Sequence, residues 1–137
     1  MAQLDQLIRV KKWNLDIARR ELVELEQMRD DIKERIDRIE KGLVEEQILA
    51  SKSGLLTNYG DYAKKELNRR DCLSASLTDI ELQVKAKLEE IQMAFEELKT
   101  VEIAADRAAE RRAFKLRRRE QMTLDDIAGQ RAFRNAS

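Results

Sequence analysis

An apolar residue returns every three or four positions along most of this chain, and the pattern occurs twice. In the first half Ile8, Leu15, Leu22, Arg29, Ile36, Leu43 and Ala50 fall at heptad position a. Leu4, Lys11, Ala18, Leu25, Ile32, Ile39 and Glu46 fall at d, so eleven of the fourteen positions are apolar. A second seam runs Leu73, Leu77, Ile80, Val84, Lys87, Ile91, Ala94, Leu98, Val101, Ala105, Ala108, with Lys87 its one interruption. Such spacing, sustained over several heptads, belongs to helices that bury a narrow stripe against another helix. The predicted fold is therefore all-α, a long antiparallel two-helix coiled coil. Its working surface is its outside and its ends rather than a pocket.

Composition agrees with that expectation. Charged residues make up 39% of the 137, aromatics only 4%, and proline is absent. This is the bias of a long helix more than of a compact globule. So much charge alone would read as disorder, and the regular seam argues against it. No run approaches the roughly 18 apolar residues of a membrane span. The N-terminal stretch carries Asp5 and lacks the apolar core of a signal peptide. Cys72 is the one cysteine, which suits a reducing compartment. A cytoplasmic protein is expected.

The seams break where turn-forming residues gather, in SKSGLLTNYGD between 51 and 61. The pattern predicts a single coiled-coil domain over residues 1–137. Within it, helix 1 covers about 3–50, the tip 51–60 and helix 2 about 61–122. Thr123 and Asp126 are spaced as a capping box, predicting a short C-terminal helix over about 124–133. The turn chemistry favours this hairpin over one continuous helix that dimerises through the same seams. With the turn centred near 56, facing residue numbers sum to about 112 by antiparallel geometry. Leu4 then faces Ala108, and the next seam sites are Arg112, Lys115 and Arg119. Helix 2 outruns helix 1 and leaves a basic segment projecting without an intrachain partner.

Charge is distributed to match. Residues 111–137 hold 8 basic and 3 acidic side chains, whereas residues 1–50 hold 10 and 12. Arg111, Arg112, Lys115, Arg117, Arg118 and Arg119 fall within nine residues around Phe114. Cations near a helix C-terminus complement the macrodipole, but six are more than that requires. An acidic protein partner fits them. A bZIP-type DNA contact fits less well, because there the zipper follows the basic stretch and here it precedes it. Val10, Trp13 and Ile17 form a second stripe opposite the seam, with Trp13 an interface-anchor candidate. At the tip, Leu55, Leu56, Tyr59 and Tyr62 place apolar and aromatic groups where the seam is weakest. They suit either a self-packed turn or a binding loop.

Catalytic groups are scarce. There is no histidine, and the four glycines stand apart at 42, 54, 60 and 129, so no phosphate loop forms. One cysteine cannot build a structural zinc site. Acidic pairs such as Asp30–Asp31, Glu89–Glu90 and Asp125–Asp126 read as solvated helix faces. A non-enzymatic protein without cofactor, metal or small-molecule substrate is expected.

Two segments carry a family resemblance. NYGDYAKKEL at 58–67 opens the second helix, and RRREQMTLDDIAGQRAFR at 117–134 ends the chain with a basic run, an acidic pair, small residues and arginines. With the paired seams, they make the chain resemble the FliJ family, coiled-coil proteins of the flagellar type III export apparatus. The resemblance implies a rotor-like stalk that binds the hexameric flagellar export ATPase and contacts the export gate in the membrane. It also implies the handling of export chaperones, and peripheral association with the inner membrane at the flagellar base. Trp13, Arg111, Arg112, Lys115, Arg117, Arg118 and Arg119 would then meet the ATPase, and Tyr59 and Tyr62 the gate. A general scaffold, a nucleic-acid-binding coil and an injectisome stalk remain as alternatives.

Overall fold

In a computed structural model, which describes residues 2–54 and 56–136, the two stripes become two α-helices packed against each other as a hairpin. Helix α1 is Ala2–Ser53 and helix α2 is Leu56–Ala136. The chain divides into two compact units, Asn14–Ala94 on one hand and Met1–Trp13 with Phe95–Ser137 on the other.

In the unit Asn14–Ala94, the buried residues are Leu15, Ala18, Ile39, Ala50 and Val84, all of them seam positions. Leu22, Leu25, Ile32, Ile36 and Leu43 of α1 are half-buried, as are Leu73, Leu77, Ile80 and Ile91 of α2. Two cations interrupt these stripes, and each lies against carboxylates. The Lys87 ammonium reaches Glu21 across the helix pair and Glu90 on its own helix. Arg29 holds Glu26 at 3.7 Å and Asp30 at 3.2 Å. Their aliphatic stems complete the seam while the charged ends stay at its edge.

The turn is tighter than the sequence pattern predicts. Gly54 ends α1 with φ of 75°, the left-handed conformation that glycine adopts without a Cβ clash. The residue numbers of Lys87 and Glu21 sum to 108, which centres the turn on Gly54 rather than near 56. α2 accordingly starts at Leu56, not near Asp61, and takes in both Asn58 and Gly60. The first four N–H groups of a helix lack intrahelical acceptors in any case. Poor helix formers therefore cost less there than they would mid-helix. Tyr59 secures this start by donating its hydroxyl to the carbonyl of Leu43 at 3.2 Å.

In the unit Met1–Trp13 with Phe95–Ser137, Leu98 and Ala108 are buried, and Leu4, Ile8, Val101 and Ala105 are half-buried. Lys11 on α1 pairs with Glu97 on α2 at 2.8 Å. Beyond Ala108 every described residue to 136 is exposed. α2 nevertheless continues unbroken, which corrects the expected interruption at about 122 and restart at 124. Thr123 does not cap a new helix. Its hydroxyl donates to the carbonyl of Arg119 at 3.0 Å, inside the existing one. The surrounding Arg, Leu, Glu, Gln and Met are good helix formers, so nothing in 115–124 stops propagation.

Two outcomes follow from this packing. Replacing Leu98, only 5% exposed, by alanine should cost about 2–4 kcal/mol in urea unfolding. Leu124→Ala, at a 60% exposed position, should stay within about 0.5 kcal/mol. The second outcome concerns pH. The hydrogen bond to Glu21, then that to Glu90, holds the Lys87 ammonium above its ordinary value. A raised pKa stabilises the fold fully below the unfolded lysine value of about 10.4. That stabilisation is lost as pH rises through the folded value. The melting temperature should therefore fall through this alkaline range, and fall less steeply in Lys87→Met.

Candidate functional site

With the seam closed, the side chains free to meet a partner are those outside it. The densest group lies on the exposed part of α2. Arg111, Arg112, Lys115, Arg117, Arg118 and Arg119 are all solvent-exposed. None of the six side chains meets a carboxylate or another hydrogen-bonding group among the described residues. Elsewhere cations such as Arg38, Lys41, Arg69 and Lys99 each hold an acid three or four residues away on the same helix. At about 100° per residue, the six spread over about 220° of the helix circumference. Phe114, 58% exposed, stands among them.

Trp13 does not join this group. The pair Lys11–Glu97 sets it level with about residue 95 of α2. At 1.5 Å per residue that is about 24 Å short of Arg111 along the helix. The indole is 62% exposed, Val10 is exposed beside it, and Ile17 is half-buried. Between the Trp13 level and the cations lies a groove of about 520 Å³ lined by Leu4, Ile8, Ala105, Ala109 and Arg112. It opens because α2 presents alanines there, where larger seam residues would close it.

The tip gathers Tyr59 and Tyr62, whose ring centroids are 6.5 Å apart and tilted by 45°. Their surroundings differ. Tyr59 is half-buried, with its hydroxyl committed to Leu43, so it packs the turn. Tyr62 is exposed and crosses α1 at Gly42, where a Cβ would sit 3.7 Å from the phenol oxygen. Partial desolvation, then the Glu66 and Glu46 carboxylates, raises the Tyr62 phenol above its ordinary value. Both rings border a notch of about 300 Å³ with Leu49, Ala50, Ser53 and Asn58. Leu55 and the side chain of Leu56 lie outside the described residues.

Gly42 and Leu49 were not among the residues singled out from the sequence. A lone glycine inside a heptad pattern was the available signal, although its contact with Tyr62 is an ordinary van der Waals one that an added Cβ would also make. Leu116, Leu124 and Ile127 were also missed. They lie in the sector between Arg112 and Arg117, which Arg131 and Arg134 also enter by helical angle, and their spacing leaves the heptad frame. Among the described residues no helix is long and apolar enough to cross a membrane.

Comparison with known families finds a match to the whole chain. The family model described as "Flagellar FliJ protein" matches residues 1–137. No curated protein and no solved structure matches the chain.

Proposed function

The chain belongs to the FliJ family, and is thus a component of flagellar type III protein export; from that premise we propose that it acts as a non-enzymatic, rotor-like stalk. In this reading its C-terminal cations engage the hexameric export ATPase, and its tip contacts the export gate. The observation that carries the ATPase contact is the spread of unpaired charge. A flat surface or a single helix faces about a third of a helix circumference, whereas Arg111 to Arg119 point over about 220°. A partner that surrounds the helix, such as the acidic lumen of a ring, can meet all six at once. Trp13, about 24 Å away along the helix, belongs to a separate contact.

At the other contact, Tyr62 and Leu49 are the groups free to meet the gate, with Tyr59 holding the turn beneath them. Peripheral association with the inner membrane then comes through the gate protein rather than through a span of this chain. A role with export chaperones rests on the family alone.

The test is binding to the purified export ATPase. The triple reversal R117E/R118E/R119E should weaken binding by at least about tenfold, as expected for a charge-complementary interface. Its circular dichroism should stay that of the wild type. Wild-type binding should also weaken with salt, since the Debye length falls from about 8 Å at 0.15 M to about 3 Å at 1 M. A reversed variant that binds as the wild type does would remove the cations from the interface. Salt-dependent binding to nucleic acid but not to the ATPase would replace the reading altogether.

A further inference from the structure

Within the unit Asn14–Ala94 the two seams fit each other in more than one alignment. On α2, Leu77, Val84 and Ile91 stand at a, and Leu73, Ile80 and Lys87 at d. The pair Lys87–Glu21 puts Lys87 level with Leu22, so an a residue of one helix faces a d residue of the other. Every polar seam residue of the unit then meets an apolar one, as Arg29 meets Ile80, Leu43 meets Glu66 and Glu46 meets Ala63. Sliding α2 by half a heptad, about 5 Å, sets a against a and d against d. This is the alignment with a facing sum of about 112 that the turn residues predict. It keeps as many layers apolar on both sides, since Leu22 gains Ile91, Ile36 gains Leu77 and Ile39 gains Leu73. One layer of the slid alignment is polar on both sides, and it opposes Glu46 to Glu66.

We infer that the hairpin holds two registers half a heptad apart, and that charge at its tip selects between them. Three features favour the observed register. It keeps Glu46 away from Glu66, it pairs Lys87 with Glu21, and it sets the small Ala18 against Ile91 rather than against Ala94. The way to the other register is short. The slide breaks the hydrogen bond from Tyr59 to Leu43 and unwinds the start of α2 through Asn58 and Gly60, both poor helix formers. What remains against it is like charge in one layer. Arg69 already holds Glu66 at 3.2 Å, whereas Glu46 has no partner among the described residues and borders the open tip notch. A basic side chain of a partner, entering that notch beside Glu46, turns the repulsion into attraction. On the tip contact proposed above, binding there would draw α2 along α1 by about 5 Å.

The test places two cysteine pairs, each in a Cys72→Ser chain. Ala18→Cys with Ile91→Cys reports the observed register, and Ala18→Cys with Ala94→Cys reports the slid one. Each is equilibrated in a glutathione redox buffer, where disulfide yield measures how readily the two sulfurs meet. Without further change the first pair should close far more readily than the second. Glu46→Lys sets the introduced lysine against Glu66 in the slid register and against Ala63 in the observed one. It should raise the second pair relative to the first about tenfold, the order expected when a repulsive surface pair becomes attractive. The double change E46K/E66K makes the charges alike again and should restore the original ratio. Glu46 is exposed, so the fold should tolerate these changes, which circular dichroism verifies. If E46K leaves the ratio unchanged, or E46K/E66K keeps the ratio of E46K, tip charge does not set the register and the inference is overturned. No ATPase or gate protein is present, so a failure here is distinct from a failure of the proposed function.

Discussion

Burial of a narrow apolar stripe between α1 and α2 is the interaction on which the rest of this protein depends. It is a thin source of stability, since among the described residues even the best-buried side chains, Leu15 and Ala18, remain 4% exposed. A seam so narrow tolerates little misalignment, and the cations inside it supply alignment. Lys87 to Glu21 and Lys11 to Glu97 are cross-helix pairs whose residue numbers both sum to 108. Partly exposed ion pairs contribute little net stability. Their use here is selective, because sliding either helix would part the lysine from its acid and set it against apolar neighbours.

That division between stabilising and aligning contacts explains how much of the fold was legible in the sequence. Both seams, the hairpin and the exposed basic segment could be read directly, because a 3–4 spacing has one physical meaning. The register was off by about four in the facing sum, because Asn58 and Gly60 resemble turn residues and in fact occupy the first turns of α2. The restart at Thr123 failed for a related reason. A hydroxyl three residues before a carboxylate caps a helix only if the helix has already ended, and here Thr123 bonds back to Arg119.

The candidate surfaces were legible in the same uneven way. The arginines around Phe114 stand out by composition alone. Their distance from Trp13, about 24 Å along the helix, was not legible, because it required knowing that α1 is already paired at Lys11 when it reaches the indole. That Tyr62 lies against Gly42 is a long-range contact that a local pattern cannot show. Leu116, Leu124 and Ile127 escaped because the heptad frame of α2 assigns them to different positions. They align only when the period lengthens to eleven.

The continuation of α2 past its last tertiary contact has to be explained by local forces, since from 109 to 136 no side chain is buried. Isolated helices are marginal in water unless their residues favour the helical state. This segment is rich in Ala and Arg, contains no proline, and carries the pair Gln121 to Asp125 at 3.1 Å across one turn. It also propagates from an already formed helix, which removes the nucleation cost. Helicity encoded locally means that the cations hold fixed angular positions before any partner arrives. The entropy of ordering the backbone is then not charged to binding. A disordered basic tail would give attraction without direction. A preformed helix that holds its charge at set angles gives attraction and an orientation together.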